Sequence, residues 1–153
     1  MDFSTAFKIA DFAEKIGSKI HAALKDAKGH KRKILLELQE NIDLIYLWKN
    51  KDFPIDKIIN KLERKHYDLA VSENFNINSI KKSVLLKSTT KDVPQFQKYI
   101  GWSTEKLLDN LYRKIKQLKD IVEMDSTNTK INKSTRLDNI NKNMILIIIH
   151  ISH

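Results

Sequence analysis

Cysteine is absent from the 153 residues, glycine occurs three times and proline twice. The first absence excludes a disulfide framework and any thiolate metal site, and it accords with a reducing, cytoplasmic setting. The scarcity of glycine works against loops that cradle phosphates, and no GxxxxGK[ST], GxGxxG or GxSxG occurs. Long hydrophobic runs are missing too. The longest, Met144–Ile149, falls far short of the ~20 apolar residues a membrane-spanning helix requires. The N-terminus carries Asp2, Asp11 and Glu14 and has no basic region ahead of an apolar one, so no secretory signal is expected. Arginine is scarce as well: Arg32, Arg64, Arg113 and Arg136 are the only ones among 28 basic residues. The formal charge of +9 therefore rests on lysine, a compact point charge, rather than on the bidentate fork that reads bases and phosphates.

What the chain has is regular apolar spacing at three- and four-residue steps, the signature of amphipathic helices. A first helix is expected over Ser4–Ala27, with Phe3, Phe7, Ala10, Ala13, Gly17, Ile20 and Leu24 on one face. Lys31–Asn50 follows on Leu35, Leu38, Ile42 and Ile45. A third runs from Pro54 to about Asn74, with Ile55, Ile58, Leu62, His66 and Leu69 in line and Asp52 at its start. A shorter helix is predicted for Ile80–Leu86, then one or two turns through Phe96, Tyr99 and Ile100. The clearest helix opens at Ser103, a good N-cap, and carries Leu108, Leu111, Ile115, Leu118 and Val122. The expected fold is an all-α, single-domain bundle of four main amphipathic helices with one or two short ones. Residues 1–125 form that bundle and 126–135 a polar linker. Residues 136–153 form a C-terminal apolar appendage that is helix or strand, with helix favoured because no other strand exists to pair with it.

Catalytic constellations are lacking. His21, His30, His66, His150 and His153 form no HExxH and no i, i+4 pair. His150 and His153 fall at a terminus expected to fray, and His66 reads as a core-edge histidine. No histidine follows an arginine at the spacing of small helical toxin nucleases. The acid pairs, Glu37 with Glu40 among them, read as solvated helix faces or caps. No cofactor, metal or catalytic residue is called for.

Three kinds of partner remain. Leu137, Ile140, Met144, Ile145 and Ile148 form a stripe too apolar to leave in water, which points to docking on the bundle, on a protein partner or on a second copy. Nucleic acid is the second, through Lys28, Lys31, Arg32, Lys33, Lys81, Lys82, Arg113, Lys114 and Lys116, were they to converge on one face. A membrane surface is the third, on the gross plan shared with small helical cell-death effectors. The expected function is a non-catalytic helical module for protein interaction or self-association.

Overall fold

The computed structural model describes residues 16–90, 93–125, 127 and 130–152, and among these every regular element is helical. The chain is all-α, as its apolar spacing predicts. Residues 16–25 belong to α1. There follow α2 (Gly29–Lys51), α3 (Ile55–Lys61), α4 (Lys65–Ser72), the single-turn α5 (Lys87–Thr90), α6 (Thr104–Met124) and α7 (Lys133–Ser152), with 3-10 turns at Ile77–Ser79 and Pro94–Tyr99. Phe3, Phe7, Ala10 and Ala13 of the expected first helix lie outside the described residues. No described helix is long and apolar enough to cross a membrane.

Helix α6 forms as its sequence dictates. The Ser103 hydroxyl accepts from the Lys106 N–H at 3.2 Å, satisfying one of the unpaired donors of the first turn. Leu108, Leu111, Ile115, Leu118 and Val122 are all buried, joined by Leu107 and Tyr112.

Helix α7 departs most from expectation. Asn132 accepts from the Thr135 N–H at 3.0 Å, so helix begins at Lys133, inside the stretch read as linker. The segment is a helix despite its β-branched run, and it lies within the bundle rather than beside it. It runs antiparallel to α6, with Thr104 meeting His150 at one end and Asn110 meeting Asn143 further along. It also runs antiparallel to α2, where Lys49 bonds Asp138. Leu137, Ile140, Met144, Leu146 and Ile147 enter the main core, while Ile145, Ile148 and Ile149 join Ile16, Ile20, Leu24 and Leu35 under α1. Ser134, Thr135, Arg136 and Asn139 of its first half are exposed, whereas every residue from Asn143 to His150 is buried, as expected where a helix is apolar nearly all round. That burial overrides the strand preference of Ile145 and Ile147–Ile149.

The third expected helix is two. Its chain breaks at Leu62–Arg64, and three side chains from distant elements satisfy the backbone there. Asn41 donates to the Glu63 carbonyl (3.0 Å) and accepts from the Glu63 N–H (2.8 Å). One turn earlier on α2, the Glu37 carboxylate accepts from the N–H groups of His66 (2.8 Å) and Tyr67 (3.2 Å), capping α4 from a distant part of the chain. From α6, Lys119 donates to the carbonyls of Asn60 and Leu62 at the end of α3. The break resets the helical phase. Tyr67 and Ala70 turn inward and Leu69 is left exposed, where an unbroken helix would bury Leu69. Asp52 does not start α3; it takes the left-handed conformation (φ 57°) that ends α2.

Residues 80–86 are not helical. The Leu85 N–H donates to the Trp102 carbonyl (2.9 Å), and the Gly101 N–H donates to the Leu85 carbonyl (2.8 Å). Gly101 reaches that position with φ 86°, a conformation open to glycine. Leu85 is thereby pinned inward, and its neighbours Val84 and Leu86 point out, 43% and 53% exposed.

Candidate functional site

The apolar stripe expected to meet a partner is spent inside the fold. Leu137, Ile140, Met144, Ile145 and Ile148 are each at most 2% exposed, and this chain's own helices already cover them. No partner reaches them while α7 is in place.

The basic residues converge in part. Lys31 lines a cleft with Ile151 and Ser152, and Lys81 lines a cavity with His150, so the 28–33 and 81–82 clusters flank the last turn of α7. Within them Lys28, Lys33 and Lys82 are exposed, while the Arg32 guanidinium donates to the Leu24 carbonyl at 2.7 Å and so caps the end of α1. Arg113, Lys114 and Lys116 stand apart along α6. Arg113 pairs with Asp109 and Lys116 with Asp120, and Lys114 lies 5.9 Å from the Tyr99 ring centre. These are i, i+4 pairs and a cation–π contact of an ordinary helix face.

Two polar centres lie where sequence reading placed none. Glu37, read as part of a solvated face, is fully buried. Close by, Tyr67 and Tyr112 stack with ring centres 4.1 Å apart, and the Tyr112 hydroxyl is buried without a well-formed hydrogen bond. Burial, and next the Glu37 carboxylate, hold its proton well above the usual tyrosine range; burial likewise pushes Tyr67 up to about 12. Both phenols stay protonated, and the cluster is closed to solutes. It organises α4 through the Glu37 cap.

The second centre is open. His150, expected to fray, is only 3% exposed and lines a cavity of about 330 Å³ with Lys81, Ser83, Ser88 and Thr89, edged by Val84 and Leu86. Its Nε2 lies 2.9 Å from the Thr104 hydroxyl, which itself donates to the Lys81 carbonyl at 2.7 Å. Burial, with the Lys81 charge second, lowers the ring's pKa to about 4. The one sequence signal for this site is a histidine set within an apolar run, since a run buried all round buries its histidine as well.

The depressed pKa has a measurable consequence. Such a histidine binds fewer protons in the folded state than in the unfolded chain between the two pKa values. Its contribution is whole above about pH 6.5 and is lost as pH falls toward 4. A tenfold drop in proton affinity corresponds to about 1.4 kcal/mol, and solvent in the cavity screens part of the effect, so a loss of roughly 1–2 kcal/mol is expected. Urea midpoints of the wild type and His150→Leu should diverge across that range, with the wild type steeper; parallel curves would refute the assignment.

No protein-family model matches the chain, and neither a curated protein nor a solved structure matches it.

Proposed function

We propose that the chain is a non-catalytic helical module that binds an acidic segment of another protein across the face formed by residues 80–90 and 93–106. One observation carries this reading: exposed apolar side chains on the pinned loop lie in a stretch of chain whose positive charge is largely uncompensated. Val84, Leu86 and Ile100 are 43%, 53% and 37% exposed, brought together by the two backbone hydrogen bonds between Leu85 and the Gly101–Trp102 pair. Residues 75–103 hold five lysines against one acid, Asp92, the largest excess of any segment. Among the described residues Lys82, Lys87, Lys98 and Lys106 make no ion pair. Lys98 and Lys106 instead lie over the rings of Tyr99 and Trp102 at 5.1 and 4.1 Å, keeping cations beside aromatic surface. Such a face favours acids interspersed with apolar residues. A second copy of this chain would set lysine against lysine, so charge argues for an unlike partner.

The test is fluorescence anisotropy with a labelled peptide of alternating Leu and Glu, its Lys-for-Glu counterpart, a single-stranded oligonucleotide and vesicles of phosphatidylglycerol. The acidic peptide is expected to bind, and Val84→Asp with Leu86→Glu to weaken it at least about tenfold, equivalent to about 1.4 kcal/mol. Both positions are exposed, so the circular dichroism spectrum should not change. Equal binding of the two peptides, or a variant that binds like the wild type, overturns the proposal. Binding of the oligonucleotide or vesicles alone, abolished by replacing Lys31, Arg32 and Lys33, would move the function to nucleic acid or lipid.

A further inference from the structure

The His150 cavity has a polarity that selects among ligands. A threonine hydroxyl carries one proton, and that of Thr104 goes to the Lys81 carbonyl at 2.7 Å. At 2.9 Å from the same oxygen, His150 Nε2 must therefore be the donor. The neutral ring then has its proton on Nε2 and a bare lone pair on Nδ1, which meets no donor among the described residues. The other polar residues of the lining are Lys81, Ser83, Ser88 and Thr89, whose ammonium and hydroxyls are able to donate. The site thus offers several donors, one fixed positive charge and one obligate acceptor.

We propose that this cavity binds a small oxyanion that retains a hydroxyl proton, such as a phosphate monoanion or a hydroxy acid, with its charge toward Lys81 and its hydroxyl donating to His150 Nδ1. Its volume, about 330 Å³, admits such a ligand with room for water beside it. A ring held neutral by burial and by the neighbouring ammonium keeps its acceptor across the ordinary pH range. An anion without a proton gains the lysine and the hydroxyls but meets Nδ1 lone pair to lone pair. The cavity shares Val84 and Leu86 with the proposed protein-binding face, but the two readings fail separately, because this one is read at the histidine ring and needs no peptide.

The discriminating experiment compares inorganic phosphate with sulfate, and glycolate with acetate, on the full chain at about pH 6, where inorganic phosphate is mainly the monoanion and keeps its hydroxyl protons. Long-range nitrogen–proton correlation spectra report the His150 ring nitrogens directly. In the free protein they should show the Nε2–H form, with the Nδ1 signal moving on addition of phosphate or glycolate. Each protonated ligand should bind at least about tenfold more tightly than its partner lacking the hydroxyl, equivalent to about 1.4 kcal/mol. Lys81→Met, at a half-buried loop position, should weaken all four. Preference for phosphate without glycolate would narrow the class to phosphates, and the converse to hydroxy acids. Equal affinity within both pairs, an Nδ1–H tautomer, or no movement of the His150 signals would overturn the proposal.

Discussion

A chain ending at Asp125 is expected not to fold. The truncation removes Leu137, Ile140 and the run from Met144 to Ile149, eight apolar residues that are all buried. Burying each contributes about 1.5–3 kcal/mol, and together they match or exceed the ~5–15 kcal/mol net stability of a whole domain. The loss is not confined to α7. Its removal takes from α6 a helix packed along it, and leaves Leu35 of α2 and Ile16, Ile20 and Leu24 of α1 without Ile145, Ile148 and Ile149. Circular dichroism and urea titration of the truncated chain should show no cooperative transition at 25 °C. A sharp transition with a midpoint near that of the full chain would show that α7 is dispensable. The milder variant Ile147→Ala should keep the fold while costing about 2–5 kcal/mol, as large-to-small core changes do.

The second large effect is expected at the α3–α4 break. Asn41→Leu keeps the branched shape but leaves the N–H and carbonyl of Glu63 without their partners. Two orphaned backbone groups at about 1–3 kcal/mol each give an expected cost of roughly 2–6 kcal/mol. Glu37→Leu strips the cap from α4 and unpairs the His66 and Tyr67 N–H groups, in a place water does not reach. Because those bonds end on a carboxylate, the cost should lie in the upper part of that range, roughly 3–6 kcal/mol. Glu37→Gln, which keeps one acceptor and turns an amide toward a backbone donor, should fall between. Denaturant midpoints measure all three, and amide exchange should report the loss first in α4. Changes below about 1 kcal/mol would mean that the break is held by its own sequence.

Leu62–Arg64 also shows what the sequence could and could not reveal. Apolar spacing was enough to place α2 and α6 nearly to the residue, since each obeys one period over more than five turns. Spacing reads the same period through the α3–α4 break, because Ile55, Ile58, Leu62 and Leu69 stay in step across it. The break exists because Asn41 and Glu37 lie 22 and 29 residues upstream and Lys119 lies 57 residues downstream of the groups they hold. A local pattern carries no trace of such partners. Glu37 passed for a solvated acid for the same reason. The C-terminal run was legible as apolar surface needing cover, but nothing in it says that the cover is this chain. At His150 the residue was visible and its environment was not, since Thr104 and Lys81 reach it through the fold alone.

The place of α7 in chain order bears on how the protein comes to exist. Every helix it joins emerges from the ribosome before it, and its pairing of Lys49 with Asp138 spans 89 residues. Until the segment after Lys133 has cleared the exit tunnel, α2 and α6 display apolar faces with nothing to close them. The bundle therefore completes late and through distant contacts, more slowly than helical proteins built from neighbours. For that interval the nascent chain is the kind of substrate holding chaperones receive.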